Sequence, residues 1–494
     1  MKLNKFCSCF FAMAAFALAF SLTSCEKGTE SLNAVSQYDF DRGLLTGISW
    51  HENYTPSEFE KKFSSIVGGY ELSQMAAMIP GLNIDRMLGN ATGLLLSRQE
   101  RELQNIFNRE QGSTFRNVQW EMQVFSIRYK SIGYKDEPIE LSAIIAFPNS
   151  KNGSQLHKLD GISVVNHTRI DTDDIMPSKR GDMMLLRAFY NQLVVIPDEE
   201  GGGASLENYF AETESDRNAQ HTIDAIKAAF DVMASMGVEM NEGYGTQNFG
   251  MSLGGETCIG FHRYMDAKAT QEEKDLVNLK ATFGGAGVIT PSMYFERFDK
   301  GQEGGSLGLG LALNQLEGIL ELPASKIGGY DPRTEIFSQE LFELSSTWNP
   351  NVTVMEARRL LQSMEYPRGD FQSMFSQDML TDEGKFNYEA PKTKALFDYL
   401  KTCDLGYGWT PESKLTLVWS DEDWQMSPFM HLRAYETLRK LPQGGVNKNV
   451  RKYVLDLSSL PDMVSEMGMS HQVLCAHYFL RCIELENPEE LGTY

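Results

Sequence analysis

Apolar and polar residues alternate along Val118–Tyr129, and Ile139–Phe147 follows as a second strand. Side chains of an extended chain point to opposite faces in turn, so the alternating run predicts a strand. Beyond 147 short apolar runs trade places with stretches of helical spacing. Gly161–Asn166, Gln192–Pro197, Thr246–Gly250, Leu279–Phe283, Lys414–Trp419 and Lys452–Leu457 read as buried strands. Asp182–Tyr190, Thr222–Met236, Leu253–Met265, Pro428–Lys440 and 471–486 read as helices. Such alternation predicts an α/β fold, a mostly parallel central sheet with helices on both faces.

Two intervals depart from the pattern. Residues 25–116 read as a polar tether followed by a helical N-terminal layer. Within it Thr55-Pro56-Ser57-Glu58 combines an N-cap, a proline at the first helical position and a capping-box glutamate. Residues 285–410 are rich in glycine, methionine and aromatics and read as helical where they are regular. A structureless loop of that length does not belong in a compact domain, so the interval predicts an inserted lid or cap. Its run Gly304-Gly305-Ser306-Leu307-Gly308-Leu309-Gly310-Leu311 suits a lid over an acyl pocket and equally a packed layer. The core is thereby divided into 117–284 and 411–494.

Residues 1–24 are expected to be a signal peptide. Lys2 and Lys5 precede an apolar run from Phe10 to Leu22, too short for a convincing membrane span. The ending Leu22-Thr23-Ser24-Cys25 resembles a bacterial lipoprotein box. That resemblance implies lipidation of Cys25 and attachment to the cell envelope, with the outer membrane as its expected place. The formal net charge of −22 disfavours nucleic acid as a partner, because so acidic a surface repels phosphates. Cys258, Cys403, Cys475 and Cys482 lack framework spacing and read as small core residues. No metal-ligand spacing such as Cys-x-x-Cys or His-Glu-x-x-His occurs, so no metal site is expected.

The candidate chemistry begins at Gly250-Met251-Ser252-Leu253-Gly254-Gly255, between a predicted strand and a predicted helix. A serine on so sharp a turn tolerates only small residues two before and two after it. The turn lifts its hydroxyl above the sheet edge, and the following helix N-terminus can bring the Leu253 N–H to a developing oxyanion. Phosphate binding is excluded by the lack of a lysine after the glycines. An acid is expected just after Lys414–Trp419, where Asp423 is preferred to Asp421, and a base in the loop after the last strand. His471 opens the final helix and fits, whereas His477 lies inside that helix.

These stretches, in this order, resemble the α/β-hydrolase superfamily, and more closely its secretory-lipase-like and acyl-esterase branches. The resemblance runs from about residue 118 to the end. It includes Val164-Val165-Asn166-His167-Thr168 and Val194-Val195-Ile196-Pro197-Asp198, the latter continuing to Gly201 as a Pro-Asp-x-x-Gly segment. It implies a serine hydrolase of carboxylic esters, with Ser252 as nucleophile, His471 as base and Asp423 orienting the base. The backbone N–H groups of Leu253 and Thr168 would form the oxyanion hole, and no cofactor is required. Thr168 stands where the family has a glycine, which leaves the second donor the weakest correspondence. A serine peptidase or amidase of the same fold, an acyltransferase, and a catalytically silent binding lipoprotein are the alternatives. The prolyl-peptidase branch carries an N-terminal propeller, which the short, repeat-free layer before 117 cannot form.

Overall fold

The computed structural model describes residues 43–67, 70–71, 98–108, 119–151, 157–170, 173–208, 212–300, 318–320, 322–339, 341, 371–423, 426, 428–457 and 470–485. The signal and lipidation site, the 304–311 run and the loop before Ser470 lie outside these residues.

The alternating and apolar runs form one sheet. Its strands are β1 (Leu45–Tyr54), β2 (Trp120–Ile132), β3 (Pro138–Ser150), β4 (His157–Asn166), β5 (Gln192–Pro197), β6 (Val238–Met251), β7 (Leu279–Gly285), β8 (Lys414–Trp419) and β9 (Val450–Val454). Their order is β1-β2-β3-β5-β4-β6-β7-β8-β9. The pairs β1/β2, β2/β3 and β3/β5 are antiparallel, and every pairing from β5 across to β9 is parallel. The helices that concern the site are α1 (Pro56–Phe63), α2 (Ser215–Ser235), α3 (Leu253–Ala267), α4 (Pro291–Asp299), α5 (Pro391–Cys403), α6 (Pro428–Leu438) and α7 (Ser470–Glu484).

Period-two geometry sends neighbouring strand residues into different cores. Phe249, Met251, Phe283 and Val418 pack with Met184, Leu186, Leu474 and Phe479, under a 3-10 helix (Met183–Tyr190) and α7. Leu415, Leu417 and Trp419 pack on the opposite side with Ile259 of α3, Met430 of α6, and Leu396 and Leu400 of α5. Each such side chain, fully buried, contributes about 1.5–3 kcal/mol. The sheet is thus covered on both faces, as the alternation of strands and helices predicts.

The N-terminal layer departs from its helical reading. Helix α1 carries the expected capping box between Thr55 and Glu58, but Leu45–Tyr54 is an edge strand on β2. Register shifts between Leu45 and Gly47 and between Ile48 and Trp50 interrupt the pairing. Each inserts an extra residue, which breaks the two-residue alternation and disguises the strand. Elsewhere the differences concern extent and type: α2 begins at Ser215, β6 reaches back to Val238, and 183–190 is a 3-10 helix capped by Asp182. Among the described residues between 285 and 410 the regular structure is largely helical, in α4, α5 and short turns. The ends of that interval are tied together by Asp404, whose carboxylate accepts from the Ser292 N–H at 3.0 Å and the Ser292 hydroxyl at 2.5 Å.

Candidate active site

The parallel strands end in step. Asn166, Gly250, Gly284, Leu417 and Lys452 lie in one row across β4, β6, β7, β8 and β9, and Met251, Gly285, Val418 and Tyr453 form the next. Everything leaving these strands therefore emerges at one sheet edge. Ser252, Thr168 and Asp423 all do so, and α7 returns His471 to Asp423.

Ser252 occupies the turn between β6 and α3 with φ 60° and ψ −128°. A non-glycine residue held at positive φ stores strain that its surroundings must enforce. Here its N–H donates to Gly285 O at 3.0 Å, while its carbonyl accepts from Gly255 and Glu256 N–H at 2.9 and 3.2 Å. The α3 hydrogen-bond ladder thus begins at Gly255, which leaves the Leu253 N–H ahead of it at the helix N-terminus. The flanking glycines are sterically required. A Cβ on Gly250 would lie 1.9 Å from Gly254 O, and one on Gly254 would lie 2.1 Å from Asn166 O and 2.6 Å from His167 O. The second figure also measures how closely the segment carrying Thr168 approaches the serine turn.

The sequence reading missed a further close approach. After β7 the chain runs Gly285-Ala286-Gly287, with Ala286 at φ 52°, and a Cβ on Gly287 would meet Ser252 O at 2.4 Å. The small-residue run after a buried strand was the available signal.

Thr168 is half-buried and is not at positive φ, so its β-branch is accommodated without backbone strain. The preceding His167 is buried and its Nδ1 donates to Thr168 O at 2.6 Å. Burial outweighs that bond and pushes the His167 pKa down to about 4, which keeps the ring neutral.

Three acids follow β8, each with a different partner. Asp421 Oδ1 accepts from the Trp419 indole at 3.2 Å. Glu422 Oε2 accepts from the Ser420 hydroxyl and, at 3.3 Å, from the Leu457 N–H. Asp423, buried, accepts from the Met426 N–H on Oδ1 at 3.1 Å and from His471 Nδ1 on Oδ2 at 2.8 Å. Of the two aspartates, it is Asp423 that hydrogen-bonds to His471, while Asp421 meets the Trp419 indole. Burial alone would lower the His471 pKa, but the Asp423 carboxylate carries it well above the ordinary histidine value. His477, two turns into α7, is half-buried. Among the described residues Ser252 Oγ makes no hydrogen bond to His471.

Helix α7 is anchored by residues the sequence did not single out. The fully buried Arg187 donates to the carbonyls of Cys482 and Leu485 at its C-terminal end, where helix carbonyls lack partners and a cation is favoured. The Tyr190 hydroxyl donates to Ile483 O at 2.6 Å. All four cysteines from Cys258 onward are buried and free, as read. Among the described residues no cluster of three or more His, Cys, Asp or Glu side chains is arranged to hold a metal ion.

No family model and no curated protein matches the chain. Solved structures do. The rice cell wall degrading esterase LipA from Xanthomonas oryzae aligns over 76% of this chain and 93% of its own, at 17% identity and a TM-score of 0.53. A hydrolase-like protein from Legionella pneumophila aligns over 88% of this chain and 98% of its own, at 15% identity and a TM-score of 0.54. The likeness is one of fold: this chain has the α/β-hydrolase fold.

Proposed function

We propose that the chain is an exported serine hydrolase of carboxylic esters, acting through Ser252, His471 and Asp423. The observation that carries this reading is the buried His471–Asp423 pair at 2.8 Å, at the same sheet edge from which a strained turn lifts Ser252. The likeness in fold to an esterase supports it.

In this reading Ser252 Oγ attacks the ester carbonyl carbon while its proton passes to His471 Nε2. Asp423 Oδ2, accepting from Nδ1–H, fixes the tautomer that leaves Nε2 free to accept and stabilises the imidazolium. The Leu253 and Thr168 N–H groups bind the oxyanion. His471 then protonates the departing alkoxide, and water repeats the sequence on the acyl-enzyme. Lipidation of Cys25 would hold the enzyme at the cell envelope, where it meets esters borne on lipids or polymers.

A fluorophosphonate probe is expected to label the purified protein, and Ser252→Ala to abolish the labelling. Undiminished labelling of that variant would reject the nucleophile. A panel of acyl esters of rising chain length, beside peptide amides, tests the ester preference. Cys25→Ala should move the protein from the membrane fraction to the soluble one.

A further inference from the structure

The Nε2 edge of His471 meets a thiol. Cys475 lies one turn further along α7, and residues four apart share a helix face. Its Sγ stands 3.8 Å from His471 Nε2. Both side chains are buried. With Asp423 on Nδ1 at 2.8 Å, the imidazole is engaged at both nitrogens, while Ser252 Oγ makes no hydrogen bond to it among the described residues.

We propose that Cys475 is a positioning residue of the base: its thiol holds the Nε2 edge of His471 at rest, and His471 must leave Cys475 to take the proton of Ser252. The inference rests on the Ser252–His471–Asp423 reading. In the neutral form, the one able to take a proton, Asp423 keeps the ring's single proton on Nδ1, so Nε2 offers a lone pair and the thiol donates to it. A thiol is a weak donor and the contact is long, so the hold is shallow and released on each turnover. The proton balance is simple. The Ser252 hydroxyl proton moves to Nε2, the new bond forms from Oγ, and Cys475 keeps its own proton throughout.

Holding the base away from the nucleophile slows acylation by the worth of one weak hydrogen bond. Removing the thiol should therefore speed the reaction, whereas loss of a merely structural thiol would leave a cavity and slow it. The test compares the full chain with Cys475→Ala and Cys475→Ser, each checked for folding by thermal unfolding, using the fluorophosphonate labelling rate and kcat and KM on a soluble acyl ester. Cys475→Ala should raise the labelling rate and kcat by about five-fold with KM unchanged. Cys475→Ser, with a stronger donor, should fall below the parent. A folded Cys475→Ala variant no faster than the parent overturns the inference. Should that variant not fold, Cys475→Ser decides alone, and a rate equal to or above the parent overturns it. His471→Asn separates the two levels. If it still labels, the triad reading fails and this one with it; if it is inert while Cys475→Ala is no faster, only the role of Cys475 falls.

Discussion

The hydroxyl of Tyr478 accepts the backbone N–H of Gly250 at 3.3 Å and donates to Phe283 O. Gly250 stands two residues before Ser252, and Tyr478 stands two helical turns beyond His471 on the same face of α7. One phenol thus couples the strand that leads to Ser252 to the helix that carries His471. Arg187 and Tyr190 grip the far end of that helix and Asp423 its first turn, so α7 is held at three levels.

Replacing Tyr478 by Phe keeps the ring and leaves a buried N–H and a buried carbonyl short of a partner. The expected cost is about 1–3 kcal/mol, read from urea unfolding. Labelling of Ser252 should slow as well, because the link between β6 and α7 is cut. A fully stable, fully active Phe variant would show that packing alone carries that link.

The two aspartates after β8 should behave oppositely. Asp423→Asn is expected to lower kcat by about 10⁴-fold, the scale seen when a triad acid no longer fixes the tautomer. Asp421→Asn removes only the contact of an exposed carboxylate with the Trp419 indole and should stay within about three-fold of the parent. Steady-state kinetics on one ester distinguish them, and the reverse ranking would transfer the role to Asp421.

The pH profile follows from the sign of the His471 shift. The ring must be neutral to accept a proton, and Asp423 raises its pKa well above the ordinary value against the opposing effect of burial. The acid limb of kcat/KM should accordingly lie above pH 6.5. Removing the carboxylate in Asp423→Asn takes away the raising influence, so the residual activity should show its limb at lower pH. A limb that moves upward or stays in place contradicts this assignment.

Gly254→Ala sets helix propensity against steric fit. Alanine favours the helix, but its Cβ would stand 2.1 Å from Asn166 O, a backbone atom that cannot move without shifting the segment that carries Thr168. The clash should win, costing about 1–3 kcal/mol in thermal or urea unfolding and most of the labelling rate.

Asp404 offers a test of linkage outside the reacting groups. Burial, against the hydrogen bonds from Ser292, pushes its pKa from 3.8 up to about 7. A carboxyl more basic in the fold than in the unfolded chain weakens the fold as pH rises from about 4 through 7. Asp404→Asn can still accept from the Ser292 N–H and does not ionise, so its stability relative to the parent should improve between pH 5 and pH 8. Urea midpoints at the two pH values measure the difference, and an unchanged difference would remove Asp404 from the linkage.

What the sequence determined by itself is what short-range sterics and periodicity govern. The serine turn was legible because a backbone forced to positive φ admits only glycine at 250 and 254, and the central strands because alternating or apolar runs suit nothing else. His471 could be picked out by its place at the start of the last helix. The edge strand β1 could not be seen, since its register shifts erase the alternation. The sequence could only prefer Asp423 to Asp421, which are chemically alike; which of them meets His471 depends on a helix returning from 48 residues away. Cys475 reads as a small core residue, and Arg187 and Tyr478 are not singled out at all, until α7 is laid across the sheet. Their roles depend on contacts between distant segments, and only the packed chain fixes those distances.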